Sequence, residues 1–300
     1  MARQALRLTQ EATPGTYASG SATIIRLTDS MSSRPKPVRW SIRDAGSLGR
    51  RAQTGSQQFE TKLSVKTPLY YDQAAIILPA YLTPIVGPPM SLITFTADYV
   101  IEDDGGTLRY TRFLGCTPEN LGLTATNQAQ GVVVMTDMSF IYMGYDDTIT
   151  SSDFAMPALT DYPSGQPAVF QHLKGQVSIG SSQSGFKSFG FTSKNVLDAL
   201  YDENSTPSAV RYYGSRDIDW NVDLRYKSQA FRTDFEAVTA KAVTIALYNG
   251  TNTISFALHA KNFYNDLGDE LSLDKAYYQK LSAEAYLDSA AGTDLTLAIS

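Results

Sequence analysis

The chain is poor in the residues that most often carry catalysis. Its 300 residues include one cysteine, Cys116, and two histidines, His172 and His259. A single thiol excludes an intrachain disulfide framework and any multi-thiolate metal site. No histidine or cation cluster neighbours Cys116, so it reads as a small buried hydrophobe and not as a nucleophile. The metalloprotease, serine-hydrolase, phosphate-loop and dinucleotide signatures are absent. Gly180–Gly185 is glycine-rich but carries no lysine-hydroxyl pair in register, and it reads as a flexible loop. No enzyme activity and no cofactor are expected. Long apolar runs are also missing. Ile76–Leu82 is far shorter than the ~20 residues of a membrane span and contains Pro79, so no membrane insertion is expected. Residues 1–7 contain no apolar core of a secretory signal.

Charged residues make up only 18% of the chain, and apolar ones 43%. That suits a folded protein whose surface is partly buried against other chains. The net charge of −5 hides an asymmetry. Residues 1–51 hold nine cations (Arg3, Arg7, Arg26, Arg34, Lys36, Arg39, Arg43, Arg50, Arg51) against Glu11, Asp29 and Asp44. That segment is therefore +6, and the remaining 249 residues carry −11. A basic segment on an acidic body can bind nucleic acid or the acidic body of another copy. The cations lie among Ser, Pro and Gly with few aromatics to stack on bases, which favours self-association.

The second half repeats the pattern of the first. Gln58–Ser64 aligns with Asp219–Arg225, bringing Leu63 onto Leu224, 161 positions on. A helix-like stretch follows in each half (Tyr70–Ile77, Phe231–Val238), then a hairpin signal (Asp104–Thr107, Asn249–Thr251). Asn120–Gly122 aligns with Asp266–Gly268, 146 apart, the offset falling because Pro79–Pro89 is extra in the first copy. The expected organisation is domain 1 over 1–150, a linker over 151–167 and domain 2 over 168–300. Each domain is mainly β, a sandwich or partial barrel with one flanking helix.

In detail, residues 1–10 read as an arm and Ser21–Leu27 as a strand. Ser30–Ser56 is a long excursion enclosing a short strand, Val38–Arg43, with Val38, Trp40 and Ile42 on one face. Excursions of that length inside compact domains are usually functional or disordered, and the embedded β-ribbon argues for the former. Gln57–Lys66 alternates as one half-buried strand, with Phe59, Leu63 and Val65 inward and Gln58, Glu60 and Lys62 in water. A helix is predicted over Pro68–Leu78, a hairpin over Leu92–Ile101 and Thr107–Leu114, and a strand over Gly131–Tyr142. In the second half strands are predicted at Lys174–Ile179, Arg211–Tyr213, Asp217–Tyr226, Val243–Tyr248, Thr253–Ala260 and Ala276–Leu287. Gly180–Gly190 reads as a loop. Helices are predicted at Ser193–Tyr201, capped by Ser193, and at Thr233–Ala240.

Asp217, Asp219, Asn221 and Asp223 supply oxygen ligands at every second position, as a calcium loop does. Val222 stands where such a loop needs glycine. A strand accounts for the spacing better: Ile218, Trp220, Val222 and Leu224 inward, the four polar residues on one wet face. A row of carboxylates suits a face that must not hold a passing polyanion.

The basic N-terminal segment, the Glu11-Ala12-Thr13-Pro14-Gly15-Thr16-Tyr17 opening, the Ser30–Ser56 excursion, the strand–helix–hairpin order and the repeat together resemble the two-domain tail tube proteins of long-tailed bacteriophages. The resemblance covers nearly the whole chain and rests on pattern, not on signature residues. It implies a virion component assembled in the host cytoplasm. Neighbouring subunits would join their inner strands into a tubular barrel, with three two-domain chains making a ring of six units. Rings would stack through long loops into a tube around a tape-measure protein, bounded by tail terminator and baseplate proteins, and would later conduct double-stranded DNA without binding it specifically. On this reading Gln58, Glu60, Lys62, Asp217, Asp219, Asn221 and Asp223 face the lumen. Arg34, Lys36, Arg39, Trp40, Arg43, Arg50 and Arg51 meet the adjacent ring. Another tail component, such as a terminator or baseplate hub, and a β-rich carbohydrate-binding or hydrolytic module are the alternatives.

Overall fold

The computed structural model describes residues 4–20, 22–25, 27, 31, 36–42, 53–82, 93–126, 133–157, 170–180, 182–184, 186–201, 206–225, 233, 236–237, 240–270, 278–285 and 293–300. These form mainly antiparallel β-structure. The first half contains β1 (Gln4–Gln10), β2 (Ala22–Ile25), β3 (Lys36–Ile42), β4 (Gln53–Glu60), β5 (Lys62–Pro68), α1 (Tyr71–Leu82), β6 (Phe95–Glu102), β7 (Leu108–Thr126), β8 (Met135–Ile141) and β9 (Gly144–Asp146). The second contains β10 (Gln171–Ile179), β11 (Ser182–Ser184), β12 (Phe186–Leu200), β13 (Ala209–Arg225), β14 (Lys241–Tyr248), β15 (Thr253–Glu270), β16 (Tyr278–Ala285) and β17 (Leu295–Ile299).

A central antiparallel sheet runs β5-β8-β7-β12-β13-β16-β15 and draws on both halves. The halves meet where β7 pairs with β12, from Asn120 opposite Lys194 to Thr126 opposite Ser188. The strands β7 and β15 are long enough to leave this sheet and continue into two outer ones. The N-terminal part of β7 pairs with β6, which pairs with β1, which pairs with β2. The N-terminal part of β15 pairs with β14 and β17, and β14 with β10. The apolar face of the central sheet packs on these outer layers. Phe140 lies 6.3 Å from Phe95, centroid to centroid, and Phe191 lies 5.3 Å from Phe256. One hydrophobic cluster runs through both halves, from Leu63 and Phe140 to Trp220 and Leu295.

The pairing pattern recurs. The chain β1-β6-β7-β8-β5, with β9 on β7, has the same connections as β10-β14-β15-β16-β13, with β17 on β15. Leu121 stands opposite Met138, and Leu267 opposite Leu281. Just before each anchor a register shift leaves one extra residue, Glu119 in β7 and Asn265 in β15. The ribbon β3–β4 matches the outer parts of β12 and β13: Lys36 opposes Glu60 as Lys194 opposes Asp217, and each ribbon is bulged shortly beyond that pair. Followed through this register, Val65 corresponds to Val222, and Leu63 to Trp220 in place of the expected Leu224. The four-residue slip keeps the same face, because side chains alternate with period two.

Several local expectations are corrected. Residues 4–10 are a strand between β2 and β6, not an arm, and Ala5, Leu6 and Leu8 are buried in it. The predicted Gln57–Lys66 strand is broken at Thr61 into β4 and β5. Pro68 belongs to β5, so α1 starts at Tyr71, and it continues past Pro79, which removes one helical hydrogen bond. Burial of Ala80, Tyr81 and Leu82 beyond that proline holds the last turn. The predicted Gly180–Gly190 loop contains β11 and the start of β12, and the predicted Ser193–Tyr201 helix is strand β12. Pairing with β13 along its length, and with β7 as far as Lys194, overrides the local helical spacing there. Arg211–Tyr213 and Asp217–Tyr226 merge into β13, and β17 is a further strand. Thr233 and Glu236 are helical, Ala237 is in a turn with its N donating to the Thr233 carbonyl at 3.0 Å, and Ala240 is not helical; residues 234, 235, 238 and 239 of that predicted helix lie outside the described residues. Of the expected linker, residues 151–157 fold onto the first half, with Phe154 packed on Ala5 and Val100.

Candidate functional site

The central sheet is dry on one side and wet on the other. On β13, Ile218, Trp220, Val222 and Leu224 are each 1% exposed, whereas Asp217, Asp219 and Asn221 are exposed and Asp223 half-buried. This is the alternation read from the sequence. Cross-strand register extends it into polar rows over six strands. One row runs Lys66, Asp137, Gly122, Thr192, Asp219, Glu284. Beside it runs Ser64, Ser139, Asn120, Lys194, Asp217. On the other flank Met135, Thr124, Gly190, Asn221 and Ser282 align, followed by Ser188, Asp223 and Lys280.

The charges on this face are distributed unevenly. In the first half each cation has a partner: Lys62 Nζ is 2.6 Å from Glu119, and Lys66 Nζ is 3.7 Å from Asp137. Ser139 Oγ also donates to Glu119 at 2.8 Å. In the second half carboxylates gather. Asp219 stands beside Glu284 on β16 and two residues from Asp217. Its carboxyl is held above the usual aspartate range, first by partial burial and then by the charges of Glu284 and Asp217. Asp223 faces Lys280 in register and accepts a hydrogen bond from Ser188 Oγ. Gly190 permits Asn221 to lie across β12, since a Cβ there would come within 2.6 Å of Asn221 Nδ2.

Behind this face the first half is fastened by buried charge. Asp98, 1% exposed at its side chain, accepts from Arg7 Nε at 3.1 Å and from Arg112 Nε at 2.6 Å. Arg7 lies over the Phe154 ring at 4.6 Å, and Arg112 over the Tyr17 ring at 3.8 Å. The buried Glu11 carboxylate accepts from Gly15 N, Gly115 N, Thr94 Oγ1 and Thr96 Oγ1 at 2.8–3.0 Å. The Glu11–Tyr17 opening is thus a pinned turn, and Arg7 is committed to Asp98. Cys116 is fully buried, and burial pushes its thiol pKa well up, so it is an inert core residue. His259 Nε2 lies 2.9 Å from Thr296 Oγ1. Asn249 Oδ1 accepts from Thr251 N and Asn252 N within its hairpin turn. Among the described residues no group of three His, Cys, Asp or Glu could hold a metal ion, and no helix is long and apolar enough to cross a membrane.

Of the seven residues read as lumen-facing, Asp217, Asp219, Asn221 and Asp223 share one face of β13, and Lys62 lies on β5 of the same sheet. The side chains of Gln58 and Glu60 lie outside the described residues, as do those of Lys36, Arg39 and Trp40 on β3. Arg34, Arg43, Arg50 and Arg51 lie outside them entirely. Sequence reasoning missed Lys66, Asp137, Thr192, Lys194, Lys280 and Glu284 as members of the wet face. Alternation in β8 and β16 could have found some of them, but assigning Ser193–Tyr201 to a helix concealed Thr192 and Lys194.

Two lateral edges of the sheet are bare among the described residues. Among the described residues β5 pairs with β8 alone, and Asp266–Glu270 of β15 pairs with β16 alone. The register equates that β15 stretch with Asn120–Thr124 of β7, the stretch that β12 covers. Bare edges of this kind invite pairing with another chain. No curated protein matches the sequence. A family model described as phage tail tube protein matches residues 1–297. A match over almost the entire chain, on a mainly β fold with open sheet edges, shows that the chain belongs to the phage tail tube protein family.

Proposed function

We propose that the chain is a two-unit tail tube subunit of a long-tailed phage, two fused copies of one fold. Three chains close a ring of six units, and rings stack into the tube. The observation that carries this reading is the one-sided sheet crossing both halves. Its internal β7–β12 junction supplies a template for the junction between chains, and the bare β15 edge is the place where the next chain's strand adds. Repetition of a head-to-tail contact closes a ring laterally and leaves an open stack axially. The recurring strand connections and bulges support the fusion of two copies.

The wet face, with Lys62, Asp217, Asp219, Asn221 and Asp223, lines the lumen, and Gln58 and Glu60 of β4 are proposed to face it as well. A surface that gathers carboxylates there lets a polyanion slide, the reverse of the phosphate-neutralising surfaces that bind DNA. The role is structural and non-catalytic. The tube surrounds a tape-measure protein, meets terminator and baseplate proteins at its ends, and conducts DNA at ejection. The Ser30–Ser56 segment, with Arg34, Lys36, Arg39, Trp40, Arg43, Arg50 and Arg51, contacts the adjacent ring. Electron microscopy of the purified full-length chain tests the reading. Threefold rings and tubes are expected; persistent monomers at high concentration would contradict it. Deleting residues 34–50 is expected to give folded chains or rings that do not stack.

A further inference from the structure

We propose that Asn195 and Arg216 form a clasp that holds the two halves of the chain at the angle three chains need to close a ring. The proposal rests on the tube reading above and concerns the junction inside one chain. Asn195 on β12 and Arg216 on β13 stand opposite each other in register, and each reaches back into the first half. Asn195 Nδ2 donates to the Pro118 carbonyl at 3.0 Å, beside the bulge of β7. Arg216 Nη1 donates to the Leu82 carbonyl at the end of α1. Asn195 is 3% exposed and the Arg216 side chain 5%.

The Leu82 carbonyl needs a partner from outside its own element. The last carbonyls of a helix have no intrahelical donor, and α1 has no basic residue in its last turn. Arg216 supplies both the donor and the cation that a helix C-terminus favours. Asp294, just before β17, fixes the guanidinium, accepting from Nε at 3.0 and 3.2 Å. Packing alone would leave the end of α1 loosely placed. α1 rests against β12 and β17 of the second half. Along that seam lies an apolar groove of about 440 Å³, lined in part by Pro79, Leu82, Leu295, Leu297 and Ile299. Dense packing fixes a position, and an open seam does not. The β7–β12 pairing joins the halves, and the directed bonds of Asn195 and Arg216 set how they sit.

The clasp belongs to the inner junction alone. On β3–β4 the pair Pro37–Phe59 occupies the place that Asn195–Arg216 occupies on β12–β13, one residue beyond the equivalent Lys–acid pair. Neither proline nor phenylalanine has a side-chain donor. A ring of three chains therefore holds a clasped junction within each chain and an unclasped one between each chain and the next. Fixing the inner angle in advance removes a freedom that ring closure would otherwise have to restrict. The junctions between chains take up the remaining adjustment.

The test is the full-length variant Arg216→Met with Asp294→Asn, beside wild type at matched concentration. It removes both charges together, so that neither is stranded. Hydrogen exchange on the unassembled chain is expected to speed roughly tenfold at the amides of Ala80, Tyr81 and Leu82 and to stay unchanged in β14. Electron microscopy is expected to show open arcs and rings of mixed size, with closed three-chain rings down roughly tenfold. Closed rings at wild-type frequency would overturn the proposal, and so would unchanged exchange at the end of α1. A lower melting temperature with uniform three-chain rings would mean that the pair only adds stability, which also overturns it. If the double variant does not fold, Asn195→Ala takes its place, and three-chain rings at wild-type frequency from that chain would overturn the proposal equally. Wild type that forms no rings would instead overturn the tube reading, and the ring-closing role with it.

Discussion

Two groups of carboxylates in this molecule have opposite surroundings. Asp98 is sealed behind β1 and β7 with a guanidinium on either side. Asp219 stands in water with Glu284 and Asp217 as its near charges. A buried carboxylate without cations would cost several kcal/mol, so Asp98 must be paired for the fold to exist. Asp219 is tolerated because water screens it, yet it still pays a little for its neighbours. The first group is explained by stability, and the second is not. A cluster kept against its own electrostatic cost is where function is to be sought, and here it lies on the one continuous wet face of the sheet.

The contrast can be broken at its strong side first. Asp98→Asn leaves two arginines without their shared anion and is expected to cost about 3–5 kcal/mol, read from urea unfolding; a loss near zero would remove the claim that this cluster fastens β1. Reversing the other group, Asp217→Lys with Asp219→Lys, is expected to keep stability within about 1 kcal/mol, as exposed charges do, and to leave rings intact. Its effect should appear in DNA release from particles, which slows; unchanged release kinetics would contradict the electrostatic role of the face. The smallest effect concerns pH. Because the Asp219 carboxyl sits above its ordinary range when folded, its ionisation opposes folding. No cost is present below the unfolded aspartate pKa, and the full cost is present once pH exceeds the folded value. Asp219→Asn should therefore match wild type in acid and exceed it at neutral pH by less than about 1 kcal/mol. A variant less stable than wild type at neutral pH would show that the carboxylate is held by an attractive partner.

The same contrast marks what sequence could reveal. Asp217–Leu224 was legible because a half-buried strand writes its two faces into alternate residues. Asp98 was not, since its partners Arg7 and Arg112 lie 91 and 14 positions away and nothing local announces them. Residues 193–200 were misread because Ser193 resembles a helix cap, and Val196, Leu197 and Leu200 fall at helical spacing. Their strand state is imposed by pairing with β13, the next strand in the chain, and at Ser193 and Lys194 by β7 as well. The helix of the first half was legible, but its start was obscured by Pro68, which serves β5, and its end by Pro79, which packing overrides. The repeat of the halves remains a proposal; on the strand register it would set Leu63 against Trp220 and not Leu224, since composition constrains which face a residue takes more firmly than its place along the strand.

The most direct test of the account is a cryo-electron microscopy reconstruction of tubes assembled from the purified chain. It should show three chains per ring, the β15 edge of each paired with a strand of the next, and Asp219 and Glu284 on the inner wall. Six chains per ring, or Asp219 on the outer wall, would contradict it.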